Sequence, residues 1–269
     1  MKKIIGFIGC GVMGEAILRG CKKDKDFEFV AIDKVKTTEA LFCRNHKAKS
    51  ANSIKDIVKL ADVILIAVKP QDIDNVLLEI KKALPDLKKM PLVISIAAGI
   101  TTKYIEHCIG FKLKVVRAMP NMAAILGESV TALKKGRFAN VKDLAIAKDI
   151  FEKVGLVIEV KKDEDIDIVT ALSGSGPAYL FYIVAAFMAA AEYMKFDKKK
   201  TDELIFKTLI GSAELLKENK FNTKKLVAKV ASKGGTTEAA LKVFKKKKLN
   251  KIISDGILAA FKRATELSR

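Results

Sequence analysis

Three glycine-rich stretches of the chain have the residue types and spacing to hold charged small molecules. The first is Gly9-x-Gly11-x-x-Gly14, which directly follows an apolar run at residues 4–8. In a strand–turn–helix unit the first glycine permits a tight turn, the second lets the backbone approach a pyrophosphate, and the third lets the helix pack on the strand. The free amides at the helix start bind phosphate oxygens. The stretch therefore predicts a dinucleotide-binding loop.

A second apolar run at residues 27–32 ends at Asp33, at the spacing expected for the second strand of such a unit. An acidic residue here typically binds the ribose 2′-hydroxyl and favours NAD, whereas cationic neighbours accommodate the extra phosphate of NADP. Lys34 follows Asp33 directly, and Lys36 stands two residues further along the chain. Because both signals are present, the sequence leaves the choice between NAD and NADP open.

The other two glycine-rich stretches are residues 173–179, Ser-Gly-Ser-Gly-Pro-Ala-Tyr, and residues 232–237, Ser-Lys-Gly-Gly-Thr-Thr. Each lies between two helical patterns. Backbone amides in such a turn, next to the positive end of a helix, can seat a carboxylate. Plain helix capping by the serine and threonine hydroxyls explains either stretch alone equally well.

Strand and helix patterns alternate in the first part of the chain, with strands at residues 4–8, 27–32, 47–50, 63–68, 92–96 and 114–117, and late edge strands at 129–133 and 156–160 flanking a helix at 141–154. Beyond residue 163 the patterns are helical only, at residues 164–172, 177–195, 198–219, 223–231, 236–247 and 251–267. This organisation predicts an α/β Rossmann-type N-terminal domain (residues 1–163) followed by an all-α C-terminal domain (residues 164–269).

Small, proline or polar residues follow three of the predicted parallel strands, at residues 67–70, 97–99 and 118–121. The carboxyl ends of parallel strands share one edge of a sheet, which is where open α/β sheets bind ligands. We therefore expect these three loops to line the same rim as the glycine loop.

The 269-residue chain carries 50 Lys and Arg against 31 Asp and Glu, a net charge of +19. The lysines are spread as pairs and short runs, which favours a solvated lysine-rich surface over nucleic-acid binding. Four cysteines without a C-x-x-C pair and two histidines disfavour a metal site or a histidine relay. The chain begins with a strand rather than a signal-peptide pattern, and its most apolar segment, residues 177–191, is shorter than a membrane span. We expect a soluble cytoplasmic protein.

Six motifs together resemble one enzyme family, pyrroline-5-carboxylate reductase. They are residues 7–14 (Phe-Ile-Gly-Cys-Gly-Val-Met-Gly), 67–70 (Ala-Val-Lys-Pro), 95–99 (Ser-Ile-Ala-Ala-Gly), 117–121 (Arg-Ala-Met-Pro-Asn), 173–179 and 234–237. They occur in the family's order and spacing over essentially the whole chain, and the last two are specific to it. The resemblance implies reduction of 1-pyrroline-5-carboxylate to L-proline by NADPH or NADH, the last step of proline biosynthesis.

The resemblance, together with the glycine fingerprint, also implies the site residues. The cofactor-binding set is Gly9, Cys10, Gly11, Val12, Met13, Gly14, Asp33, Lys34, Ala67, Val68, Lys69, Pro70, Ala97, Asn121, Ser175 and Gly176. The substrate-binding set is Ser232, Gly234, Gly235, Thr236 and Thr237, and the hydroxyl of Thr237 is the expected catalytic group, near the ring nitrogen. No metal is expected.

The chain departs from the family pattern at Lys233, where a proline is usual, and at Met122 and Ala123, where Thr-Pro is usual. Lys220 and Thr223 stand where an acidic residue and a proline often precede the substrate loop. These departures leave open the rigidity of that loop and any acidic proton relay.

Two alternatives remain at this point. A β-hydroxyacid dehydrogenase would share the N-terminal fold but needs a catalytic lysine at the start of the helical half, and residues 174–182 contain none. A non-catalytic NAD(P)-binding redox sensor would retain only the first motif. The segment 177–191 is apolar almost all round, which predicts a homodimer through this helix, with larger rings built from dimers in some family members.

Overall fold

The computed structural model of the chain describes residues 2–268, and its sheet is built from eight strands within that range. They are β1 (Lys3–Ile8), β2 (Phe27–Ile32), β3 (Lys49–Ser50), β4 (Val63–Ile66), β5 (Leu92–Ser95), β6 (Lys114–Met119), β7 (Ser129–Lys135) and β8 (Gly155–Glu159). The spatial order is β3-β2-β1-β4-β5-β6-β7-β8, and every neighbouring pair is parallel except β6 with β7. The order reverses at β1, as in doubly wound sheets.

Seven helices cover this sheet: α1 (Val12–Cys21), α2 (Lys36–His46), α3 (Ile54–Leu60), α4 (Ile73–Ala83), α5 (Thr102–Ile109), α6 (Val141–Glu152) and α7 (Asp163–Val169). The central strand β4 shows why two layers of helix are needed. Its side chains alternate between the two faces of the sheet, and Ile64 and Leu65 on opposite faces are both fully buried. Leu65 joins a core with Phe7 and Ile17, and Ile64 joins a second core with Ile57.

The end of the sheet differs from the sequence prediction in two respects. The prediction of two late edge strands is wrong for β7, which lies between β6 and β8; the edges are β3 and β8. Strand β6 also continues two residues beyond the predicted end at Arg117, because Ala118 and Met119 pair with Leu133 and Ala132 of β7. Pairing with a later strand is a tertiary contact that local pattern does not reveal.

Packing divides the chain into two compact units. The first runs through Ser175 and also includes the residues from Ala260 onward; the second is Gly176–Ala259. Helix α7 belongs to the first unit although composition placed the domain change at residue 163, because its Ile166 and Asp167 are buried on the sheet side. The functional division at residue 163 remains a proposal.

The second unit is made of helices: α8 (Gly176–Tyr193), α9 (Lys198–Glu218), α10 (Thr223–Val230), α11 (Thr236–Lys246) and most of α12 (Leu249–Leu267). In this unit only Thr201 and Ile205 of α9 are buried within the chain. No residue of α8 is buried, although Leu180, Phe181, Phe187 and Met188 stand on it, and this leaves a large apolar surface uncovered by the chain itself.

A π-helical turn at Thr170–Gly174 follows α7, and Ser175 forms a bend before α8 begins. The stretch Asp163–Tyr193, which includes both helices, is 31 residues long. By length and composition this stretch could cross a membrane, although one such helix is weak evidence for a span. The expectation that the most apolar segment is too short to span a membrane counted residues 177–191 alone.

Candidate functional site

The carboxyl ends of four parallel strands lie at one edge of the sheet, where β6 extends two residues beyond the others. In the strand register Ile8 pairs with Ile66, Ile66 with Ser95, and Ser95 with Arg117. The segments that follow β1, β4, β5 and β6 therefore leave the sheet at the same edge. The glycine loop and the predicted rim loops at 67–70 and 97–99 are among these segments, whereas only residues 120–121 of the third predicted loop follow β6.

The glycine loop packs directly against the segment after β4. Gly9 has a φ of +101°, and a Cβ at this position would lie 2.6 Å from the carbonyl oxygen of Ala67. A Cβ on Gly14 would lie 2.8 Å from the carbonyl oxygen of Gly9. Only glycine fits either position, so the loop is held tightly against its own helix and against Ala67.

Gly11 is different, because a Cβ there would meet no atom within 4 Å. It is the N-cap of α1 and offers no side chain to cap the helix. The backbone amides of Val12 and Met13, at the first turn of α1, therefore begin the helix without a side-chain cap. Bare helix-start amides beside open space fit a pyrophosphate, which the positive end of the helix dipole stabilises.

The other residues predicted to bind cofactor around the loop have distinct environments. The Cys10 side chain is buried, and burial, followed by the nearby Asp33 carboxylate, raises the pKa of its thiol. Cys10 can therefore contact a ligand through its backbone only, and its own amide already donates to Asp33 Oδ2 at 2.7 Å. Lys34 lies beside Asp33 on the surface and pairs with Asp72 at 2.7 Å.

The segments after β4 and β5 supply the next part of the rim. The amide of Ala67 donates to the Ile8 carbonyl at 2.8 Å, which extends the β1–β4 pairing by one bond. Val68 is half-buried, while Lys69 and Pro70 are exposed. Ala97 is 3% exposed, so a ligand at the rim meets little of its methyl group.

Asn121 connects the rim to the turn that precedes α8. Its side-chain amide donates to the Ser173 carbonyl at 3.2 Å and to the Ser173 hydroxyl at 2.9 Å, and its side-chain oxygen accepts from the Ala123 amide. Ser173 lies in the π-helical turn, which ends as the Ser175 amide donates to the Thr170 carbonyl at 2.9 Å. Two motifs far apart in sequence therefore meet, and Ser173 was missing from the predicted site residues.

A buried ion network next to this turn was not predicted. Arg117 is 1% exposed, and its guanidinium donates to Asp163 at 3.0 Å and to Asp167 at 3.1 Å. Lys134 pairs with Asp163 at 3.0 Å, and the Ser268 hydroxyl donates to Asp167 at 2.8 Å. A signal was available, since an arginine inside an apolar strand needs acidic partners and α7 carries them four residues apart on one face.

The loop before α11 belongs to the second unit. Gly234 has a φ of +75°, and Gly235 is the N-cap of α11 with no side-chain cap. A Cβ on Gly235 would lie 2.5 Å from the Ser232 hydroxyl, and the Gly235 amide donates to the Ser232 carbonyl at 3.1 Å.

A carboxylate of the chain itself already interacts with this loop, as the Gly234 amide donates to Glu238 Oε2 at 2.6 Å. Thr236 and Thr237 open the helix, and Lys233 is exposed beside them. The loop thus combines backbone donors, two hydroxyls and a cation at a helix start, which suits a carboxylate ligand.

Comparison with known proteins agrees with this geometry. Residues 163–267 match the family model for pyrroline-5-carboxylate reductase dimerisation, and residues 4–99 match the model for NADP oxidoreductase, coenzyme F420-dependent. A pyrroline-5-carboxylate reductase from Synechocystis sp. is 33% identical over 269 residues, which is 98% of each chain.

Solved structures of the same kind of enzyme are also similar to this chain. A pyrroline-5-carboxylate reductase from Coxiella burnetii matches with a TM-score of 0.88 and 33% identity over 100% of both chains. A Plasmodium falciparum pyrroline carboxylate reductase, solved with NADP bound, matches with a TM-score of 0.85 and 26% identity over 99% of this chain and 98% of that one. The chain belongs to the pyrroline-5-carboxylate reductase family of NAD(P)H-dependent oxidoreductases.

Proposed function

We propose that this protein reduces the C=N bond of 1-pyrroline-5-carboxylate to give L-proline, with NADH or NADPH as the reductant, as the last step of proline biosynthesis. The observation that carries the proposal is the Asn121–Ser173 contact, which joins two family motifs at the rim beside the dinucleotide loop. The glycine fingerprint alone is common to many dehydrogenases, whereas this pairing involves the motif of residues 173–179.

The chain's own residues would first bind the dinucleotide. The open space at Gly11 and the uncapped start of α1 receive the pyrophosphate, and the rim segments after β4 and β6 guide the rest of the molecule. When bound, the reduced nicotinamide supplies the hydride that the C=N carbon accepts. Alignment of the two reactants accounts for much of the rate enhancement expected of such a site.

The loop of residues 232–237 would hold the substrate carboxylate. Backbone amides at the start of α11 and the hydroxyl of Thr236 act as donors, and the exposed ammonium of Lys233 attracts the anion. The hydroxyl of Thr237 would lie at the ring nitrogen and hold its proton. Since a protonated imine is already electrophilic, the protein needs no histidine or metal to activate it.

A direct assay tests the function. The purified protein should oxidise NADH or NADPH only when 1-pyrroline-5-carboxylate is added, and Thr237→Ala should lower kcat on the order of 10²-fold. Thr237→Ser keeps the hydroxyl and should restore most of the rate. If neither NADH nor NADPH is oxidised when 1-pyrroline-5-carboxylate is added, the function is ruled out.

A homodimer would cover the apolar face of α8. Phe181 is 64% exposed and Phe187 is 50% exposed, more than a helix of a stable monomer leaves to water. The match of residues 163–267 to a dimerisation model supports a second copy, rather than lipid, as the cover. Because a second copy and not lipid would cover this face, we also propose that the protein is cytoplasmic.

Light scattering tests the assembly. The purified protein should show the mass of two chains or an even multiple of it, and Phe181→Glu with Phe187→Glu should shift it toward one chain. Co-sedimentation of the unmodified protein with lipid vesicles, or a mass of one chain at micromolar concentration, would contradict the dimer.

A further inference from the structure

The segment after β2 bears on a property that the sequence left open, the choice between NAD(H) and NADP(H). It begins with Asp33, continues through Lys34 and Lys36, and leads into α2. The sequence shows two opposing signals here, one acidic and two basic. In the structure the acidic group is fixed beside the glycine loop, whereas both basic groups are paired with carboxylates. This difference decides which signal sets the choice of cofactor.

Asp33 is fixed against the glycine loop. Its Oδ2 accepts a 2.7 Å hydrogen bond from the Cys10 amide, and its Oδ1 accepts a 2.8 Å bond from the Val35 amide. Its own amide donates to Glu39 at 2.9 Å. The carboxylate is thus held at the carboxyl end of β2, next to the pyrophosphate seat, where the ribose that carries the 2′-substituent is bound in Rossmann folds.

The two lysines are both paired with carboxylates of the chain. Lys34 donates to both oxygens of Asp72, at 2.7 and 2.9 Å. Lys36 pairs with Glu39 at 2.9 Å, and Glu39 is only 4% exposed.

Glu39 stays ionised and so holds Lys36. Its burial would raise the pKa of its carboxyl, but hydrogen bonds from Ser50 and the Asp33 amide, with the Lys36 ammonium, together lower that pKa. Glu39 also lies in the first turn of α2, where its charge offsets the positive helix end. With Asp72, which follows β4 and pairs with Lys34, three carboxylates therefore face the two ammonium groups.

We propose that Asp33 makes this protein selective for NAD(H) over NADP(H). The fixed carboxylate accepts a hydrogen bond from a ribose 2′-hydroxyl, which is a donor, and repels a 2′-phosphate, which is not. Neither lysine is free to offset that repulsion unless it first leaves its carboxylate. The proposal rests on the dinucleotide site of the proposed function and does not depend on its substrate.

Binding without substrate tests the selectivity. Calorimetric titration of the purified full-length protein with NAD⁺ and with NADP⁺ should give a dissociation constant at least about tenfold lower for NAD⁺. The ratio of kcat/KM for NADH and NADPH should follow the same order. Equal or tighter binding of NADP⁺, or binding of neither nucleotide, would overturn the proposal.

Two variants assign the effect to charge. Asp33→Asn keeps an acceptor oxygen for the Cys10 amide, gives up the bond from the Val35 amide and removes the charge, and it should reduce the preference to about threefold or less. Asp72→Asn leaves the loop backbone untouched and frees Lys34, so NADP⁺ should bind several-fold more tightly while NAD⁺ binding is unchanged. If the ratio of the dissociation constants for NAD⁺ and NADP⁺ is unaltered in both variants, the role of Asp33 is contradicted.

Asp86→Asn is the matched control, because it releases Lys55 from a comparable exposed ion pair that involves no residue of the segment. It should change neither dissociation constant, and a shift equal to that of Asp72→Asn would mean that overall charge, and not this segment, sets the preference.

If NAD⁺ binds selectively but 1-pyrroline-5-carboxylate is not reduced, the proposed function fails while the selectivity stands.

Discussion

The side-chain amide of Asn121 donates to both the backbone carbonyl and the hydroxyl of Ser173, and the Asn121 side chain is almost fully buried. The contact ties the segment after β6 to the π-helical turn before α8. A turn of this type is rare in helices and is frequent at functional sites. The Asn121 amide therefore helps to hold this turn in place, and its contribution can be measured.

Asn121→Ala should weaken activity more than it weakens the fold. Removal of the amide leaves the Ser173 carbonyl without this donor, which costs about 1–2 kcal/mol of unfolding free energy. We expect kcat/KM to fall by about 10-fold or more as the turn loses its position. Urea unfolding and steady-state kinetics measure the two effects. Ser173→Ala keeps the carbonyl acceptor and should have the smaller effect; the reverse order would contradict this role of Asn121.

Gly9 and Gly11 should fail in different ways when substituted. Gly9→Ala places a Cβ 2.6 Å from the Ala67 carbonyl at a positive φ, and should cost on the order of 2 kcal/mol of stability. Gly11→Val places its side chain in open space, so stability should change by less than about 0.5 kcal/mol while nucleotide affinity falls about tenfold or more. Thermal unfolding and nucleotide titration separate the two, and normal binding by Gly11→Val would refute the assigned pyrophosphate seat.

Arg117→Met should be strongly destabilising. The substitution leaves the buried carboxylate of Asp167 without its cation, a change that typically costs about 3–5 kcal/mol. Arg117→Lys should recover part of that loss, because one ammonium can satisfy one carboxylate but cannot span two. The measurement is denaturant unfolding. A loss below about 1 kcal/mol for the methionine variant would show that the network is not required for stability.

Acid should weaken the fold partly through Glu39. The pKa of its carboxyl is lowered from 4.5 in the folded state, so the ionised form stabilises the protein above that pH. This contribution is lost as the pH falls from about 4.5 through the lower folded-state pKa. Glu39→Gln should be less stable than the parent at pH 7 and should lose less of its stability on acidification. Urea midpoints at several pH values provide the test, and parallel pH profiles would contradict it.

The fold class, the enzyme family and the dinucleotide chemistry could be predicted from sequence and are confirmed. Strand β2 was predicted with the bounds observed, since a short apolar run between polar segments is a local signal of a buried strand. The glycine spacing was equally informative because the backbone demands of a phosphate loop can be met by few residue types. The individual substrate-binding and catalytic residues, Thr237 above all, remain predictions.

The sequence by itself determined where strands and helices form and which turns can receive an anion, because periodicity and glycine placement act over a few residues. Only the tertiary structure decided that Asn121 meets Ser173, that Arg117 meets Asp163 and Asp167, and that Lys34 pairs with Asp72. The Asn121–Ser173 and Arg117–Asp167 partners are 52 and 50 residues apart. Such pairs form because a buried polar group must find a partner once the sheet brings distant segments together, and a linear pattern does not state which partner that is.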